Sequence, residues 1–158
     1  MTPLNHKSFD DPTWPIVVDG ESMRREGNVQ SALRVFNSAV AKFTEFTLDS
    51  VQVETYICRG VANAQIGNEN EAIADFTTAI QIDANRALAY FNRSCARERL
   101  GQYDLAIDDL DRVIKLQPDY AEAYVNRGRL RKRLGQLDDA RQDFATVRRI
   151  NNSSNSMN

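Results

Sequence analysis

The sequence predicts an all-α fold of stacked helix pairs, and two observations carry that expectation. Gly67, Gly101 and Gly135 recur every 34 residues, and Tyr56/Tyr90/Tyr124, Ala72/Ala106/Ala140 and Phe76/Leu110/Phe144 keep the same interval. Between the glycines, apolar residues fall three and four apart, the spacing of one face of a helix rather than the alternation of a strand. One helix pair cannot bury its own apolar stripe, so units repeated in this way must stack.

Along the chain, residues 1–15 read as an N-terminal arm, because Pro3, Pro12 and Pro15 interrupt any helix, with Phe9 and Trp14 available to tack it down. A divergent unit follows at about 16–46. Gly27, Ala32, Phe36 and Ala39 reproduce the glycine-to-alanine portion, but Gly27 stands 40 residues before Gly67 rather than 34. The extra six are assigned to the second helix or its loop, TEFTLDSVQ. The first helix of this unit spans about Val17 to Arg25, with Gly20 read as one register position away from the recurrent small residue.

Three clear repeats then run 53–86, 87–120 and 121–154, within a repeat domain of 16–150. In the middle one, Ala89, Tyr90, Arg93, Ala96 and Leu100 form one helical stripe, and Gly101 closes the helix. Ala106, Ile107, Leu110, Val113, Ile114 and Leu116 form the second, which Pro118 ends. Gly60, Ser94 and Gly128 in the first helices, facing the recurrent alanines of the second, mark close backbone approach. The final stretch, NNSSNSMN at 151–158, overlaps the end of the third repeat and reads as a flexible polar tail.

Composition narrows the function. A net charge of -2 supplies no global attraction to nucleic acid or anionic lipid. No run reaches the roughly 18 apolar residues of a membrane helix, and the start lacks the basic-then-apolar order of a secretory leader. Cys58 and Cys95 stand far apart with no histidine beside them, so neither a zinc site nor a disulfide framework is predicted. These features point to a reduced, cytoplasmic setting, with plastid stroma or peripheral membrane association left open.

These repeats resemble the tetratricopeptide repeat, whose pattern has an aromatic at 4, a small residue at 8, Gly at 15, Ala at 20, an aromatic at 24, Ala at 27 and Pro at 32. Tyr56, Gly60, Gly67, Ala72, Phe76 and Ala79 match in the first repeat. Tyr90, Ser94, Gly101, Ala106, Leu110 and Pro118 do so in the second, and Tyr124, Gly128, Gly135, Ala140 and Phe144 in the third. Ala84 and Asn152 replace the proline. The phrases YFNR, YVNRG and LGQ resemble small bacterial and cyanobacterial members. The resemblance implies a right-handed superhelical solenoid of antiparallel helix pairs, with three clear units plus one divergent N-terminal unit. It also implies a concave groove lined by positions 2, 5, 6, 9, 12 and 13 of the first helices.

Those positions nominate Ile57, Val61, Phe91, Asn92, Cys95, Arg99, Asn126, Arg129 and Arg133 as peptide-groove residues, an apolar middle leading to a basic end. The implied function is a non-enzymatic scaffold or adaptor binding a peptide or helix of a protein partner, with an acidic residue meeting the arginines. The last helix has no covering helix after it, so either its outer face is polar or a second copy covers it. Chaperone-tail receptors of the family hold a C-terminal dicarboxylate with Lys, Asn, Asn, Lys and Arg; the corresponding places here hold Ile57, Val61, Asn92, Glu122 and Asn126. Only Asn92 matches.

Other chemistries find little footing. His6 is the sole histidine and lies in the arm, so no histidine-based acid, base or metal site is expected, and no cofactor. Asp108 and Asp111 can share a helix face, which a solvated face also explains. The glycines serve turns rather than a phosphate loop. The alternative is an RNA-binding helical-repeat protein using Arg127, Arg129, Arg131, Lys132, Arg133, Arg148 and Arg149. Asp138, Asp139 and Asp143 beside that patch, and few aromatics, weigh against it.

Overall fold

A computed structural model of the chain describes residues 11–155, and every described element is helical. The order is α1 (Trp14–Arg25), α2 (Val29–Ala41), α3 (Asp49–Gln65), α4 (Glu69–Ile82), α5 (Ala87–Arg99), α6 (Tyr103–Leu116), α7 (Ala121–Arg133) and α8 (Leu137–Asn155). The chain divides into two units, 1–89 and 90–158. Within the first, α1 pairs with α2 and α3 with α4; within the second, α7 pairs with α8, and α5 with α6 through side-chain bonds described below.

One turn closes all four pairs. Gly27, Gly67, Gly101 and Gly135 have φ of 86°, 82°, 73° and 79°, the left-handed conformation that a residue without Cβ adopts at least cost. The next residue reaches back across the turn: Asn28, Asn68, Gln102 and Gln136 donate their backbone N–H to the carbonyls of Met23, Asn63, Arg97 and Arg131 at 2.8–3.0 Å. These bonds satisfy carbonyls that the helix end would otherwise leave orphaned.

The recurrent small residue has a steric cause. A Cβ built on Gly60 would lie 2.7 Å from the Phe76 ring, and one on Gly128 would lie 2.9 Å from the Phe144 ring. In the middle repeat Leu110 replaces the phenylalanine, and Ser94 replaces the glycine. The smaller partner leaves room for a Cβ, and the two positions change together.

The divergent unit follows the same rule more closely than its sequence suggests. Gly20 stands seven residues before Gly27, as Gly60 does before Gly67, and its Cβ would meet the Phe36 ring at 2.6 Å. The register offset assigned to Gly20 is therefore corrected: it is the small residue of this pair. The six extra residues fall in and beside the TEFTLDSVQ stretch, as expected, lengthening the connection and the start of α3 rather than α2. The α2–α3 connection is three residues longer than the four-residue α4–α5 and α6–α7 connections, α3 is four longer than α5, and α2 is one shorter than α4.

Both chain ends carry more helix than expected. Pro15 does not interrupt α1, because it occupies the first turn, where its missing N–H would have had no partner. Trp14 joins Val17, Ala32, Phe36, Ala39, Val51, Cys58 and Ala62 in the core of this unit. Asp11 is buried, and its carboxylate accepts from the Thr13 hydroxyl, from Thr13 N–H at 2.9 Å and from Leu48 N–H at 3.1 Å. It thus fastens the start of α1 to the α2–α3 connection. At the other end α8 continues to Asn155, into the expected tail, with the Ser153 hydroxyl donating to the Arg149 carbonyl. The rest of the expected arm (1–10, with Phe9 and His6) and of the tail (156–158) lies outside the described residues.

Two outcomes test this packing. Gly60→Ala is expected to destabilise by about 1–3 kcal/mol through overpacking, and Phe76→Leu in the same chain to recover part of the loss, as the middle repeat does; thermal unfolding of the three variants measures both. Burial raises the pKa of Asp11, but the bonds from the Thr13 hydroxyl, the Thr13 N–H and the Leu48 N–H outweigh it, so the carboxyl sits below its ordinary value. Its stabilisation is therefore present above the ordinary carboxylate pKa and lost as pH falls through the lowered one. Asp11→Asn is expected to lower the melting temperature at neutral pH, with the gap to wild type closing in acid.

Candidate functional site

A buried ion-paired device recurs in all three clear repeats and orients the first helices. Arg59, Arg93 and Arg127 stand 16 residues before Asp75, Asp109 and Asp143, which are only 5%, 3% and 2% exposed. Each arginine grips its aspartate with a fork. Nε and Nη2 lie 3.1 and 2.6 Å from Asp75, 3.0 and 2.7 Å from Asp109, and 3.1 and 2.5 Å from Asp143. One turn further along, a second donor completes each carboxylate: Asn63 at 3.1 Å, Arg97 at 2.7 Å and Arg131 at 3.0 Å.

Tyr56, Tyr90 and Tyr124 lie under the guanidinium groups at 5.4, 5.6 and 5.4 Å from the ring centroids. The pattern residue at position 4 thus offers a π face to a half-desolvated cation. The sequence reading missed this device, although the Arg–Asp spacing of 16 repeats at the same interval as the glycines.

With positions 7 and 11 committed inward, other positions of α5 and α7 form the face available in the second unit. Phe91 and Tyr120, both half-buried, meet edge to face with ring centroids 5.2 Å apart. Asn92 is half-buried beside Phe91. Asn126 accepts from Arg129 at 3.3 Å, and Arg129, with 57% of its side chain exposed, also binds Glu98 at 3.0 Å. Arg133 lies 4.8 Å over the Tyr103 ring, and Arg99 is exposed. Burial, followed by the Glu98 carboxylate, pushes the half-buried Cys95 thiol up, so it is a weak nucleophile here.

In the first unit the picture differs. Ile57 is 3% exposed and packs with Val53, Ala79 and Ala89, so its nomination as a groove residue is corrected: its side chain is core and offers no surface. Val61 is half-buried against that cluster. The Cys58 thiol lies in the core, where burial and then the carboxylates of Glu54 and Glu21 push its pKa strongly up. Of the nine nominated residues, Phe91, Asn92, Cys95, Arg99, Asn126, Arg129 and Arg133 lie in the second unit, and Ile57 and Val61 in the first.

Comparison with known proteins agrees with the helix-pair geometry. A family profile described as a tetratricopeptide repeat matches residues 53–86 and 121–153, and one described as a TPR repeat matches 96–135. The second tetratricopeptide domain of Spaghetti (RPAP3), solved bound to the HSP90 peptide SRMEEVD, is 33% identical. It aligns over 63% of this chain and 92% of its own, with a TM-score of 0.61. The chain belongs to the tetratricopeptide-repeat family.

A crystal structure of MamA shares the fold with a TM-score of 0.84 at 21% identity, over 95% of this chain and 84% of that one. MamA from Desulfovibrio magneticus RS-1, residue 41 to its end, does so at 0.80 and 17% identity, over 89% and 76%. No curated protein sequence matches the chain. Repeats of this family are protein-interaction modules and generally not enzymes. No helix among the described residues is long and apolar enough to cross a membrane.

The paired aspartates give a sharp contrast. Asp109→Asn leaves Arg93 and Arg97 without their carboxylate and is expected to cost about 3–5 kcal/mol. Asp111→Asn, at the exposed end of the Arg127 network, is expected to cost below about 1 kcal/mol. Urea unfolding of the two variants against wild type checks the difference.

Proposed function

We propose that the chain is a non-enzymatic scaffold that binds a peptide or helix of a protein partner on the exposed face of α5 and α7. The Phe91–Tyr120 pair carries this reading: two half-buried aromatic rings stand beside an amide, Asn92, that makes no side-chain bond among the described residues. Rigid aromatics beside polar groups are the composition of binding hot spots. An apolar side chain of the partner packs on the rings, Asn92 and Asn126 meet its main chain, and an acidic residue meets Arg99, Arg129 or Arg133. Since α5 and α7 are fixed by their buried ion pairs, little order is lost on docking.

The bound peptide of the RPAP3 domain supports peptide recognition as the mode. Its chemistry does not transfer, because only Asn92 of the dicarboxylate-binding pattern stands in this chain. The RNA reading is weakened by the ion pairs: Arg127 and Arg131 bind Asp143, Arg129 binds Glu98, and Arg133 stacks on Tyr103. A homodimer through the last helix is weakened by its surface, since the exposed positions of α8 through Ser153 are polar apart from Leu137 and Ala145.

Capture from the source cell with wild type, Phe91→Ala and an Arg99/Arg129/Arg133 charge-reversed variant, all matched by circular dichroism, tests the proposal. A protein retained by wild type is expected to be lost by both variants, with affinity falling at least about tenfold. Retention by both would place binding elsewhere, and enrichment of RNA in place of protein would favour the alternative.

A further inference from the structure

A second concave surface lies in the first unit and includes none of the nominated groove residues. A cleft of about 800 Å³ is lined by Gln30, Leu33, Arg34 and Asn37 of α2 and by Asn63, Ile66 and Asn68 at the α3–α4 turn. That volume falls in the range of ligand-binding clefts, roughly 300–1,000 Å³. No lining residue is acidic, and among the described residues Arg34 pairs with no carboxylate.

The buried Arg59–Asp75 pair fixes the chemistry of two of the amides. Arg59 Nη1 donates to Asn37 Oδ1 at 3.1 Å, so the Nδ2 of Asn37 remains as a donor. Asn63 is 9% exposed, and its Nδ2 donates to Asp75 at 3.1 Å, so its Oδ1 remains as an acceptor. A locked donor and a locked acceptor in one cleft match the C=O and N–H of a peptide chain. A phosphate, which mainly accepts, would leave Asn63 Oδ1 unsatisfied.

Register sharpens the case. The places of Gln30, Arg34 and Asn37 are taken by Asn70, Ala74 and Thr77 in α4 and by Asp104, Asp108 and Asp111 in α6. Only α2 puts a cation there.

We propose that this cleft binds an extended segment of a partner protein, its main chain on Asn37 and Asn63, an acidic side chain on Arg34 and an apolar one on Leu33 and Ile66. The site is independent of the α5–α7 face.

The test is an NMR titration of the full chain, following the side-chain NH2 signals of Asn37 and Asn63. The probe is the blocked peptide acetyl-Glu-Ala-Leu-N-methylamide, with sodium acetate and an oligouridylate as comparators. Saturable shifts with the peptide alone are expected. Arg34→Glu and Arg34→Met should weaken them by about tenfold, the value of one charge-assisted contact, while Arg129→Glu leaves them unchanged. Shifts of equal size with acetate would reduce the site to a bare anion contact and overturn the proposal. So would a response to oligouridylate alone, shifts that follow protein concentration without peptide, or no saturable shift. Loss on Arg129→Glu instead would assign the peptide to the other face.

Discussion

Three carboxylates inside a helical fold set the terms for the rest of this molecule. Asp75, Asp109 and Asp143 lie almost wholly out of water, and a charge so placed is tolerable only when its partners are close, correctly angled and themselves held. The fork of Arg59, Arg93 or Arg127 supplies two parallel bonds, the next turn of the same helix supplies another donor, and a tyrosine closes the far side of the guanidinium. A helix carrying such a fork cannot rotate or slide against its partner without stranding a buried charge. The apolar contacts of alanine, valine and leucine hold the pair together; the ion pair selects one register.

That selection reaches the surface. Because positions 7 and 11 of α5 and α7 face inward, Phe91, Asn92, Cys95, Asn126 and Arg129 are left on the available side. In the first unit the same device turns two asparagine amides so that one shows a donor and the other an acceptor. A single structural solution thus prepares two chemically different surfaces, one aromatic and cationic, the other rich in amides.

Much of this was legible in the sequence. The 34-residue glycine interval located three of the four turns within pairs and the glycine-to-alanine phrase the fourth, because only a residue without Cβ adopts that φ cheaply, and the stripes between glycines located the helices. The ion-paired device escaped because a charged side chain on a helix is ordinarily a solvated one, although Arg and Asp at a constant spacing of 16 were there to be seen. Ile57 misleads for the opposite reason: a position that the family pattern assigns to the groove is enclosed here by Val53, Ala79 and Ala89. Gly20 needed only a count of seven from Gly27. Pro15 is a breaker by residue type, but its place in the first turn makes it harmless.

The first helix pair departs from the others in one more respect. Where they carry tyrosine, arginine, a second donor and aspartate, it carries Ile16, Asp19, Met23 and Val35, with Ile16 and Met23 packed on its core. Between its two helices that pair therefore relies on apolar contact, whereas the other three add buried charge, and the two kinds of cohesion respond differently to warming. Apolar stabilisation levels off as temperature rises, whereas the cost of stripping water from ions goes on falling. Warming therefore loosens this molecule first at its N-terminal pair, while the charged pairs keep their grip furthest.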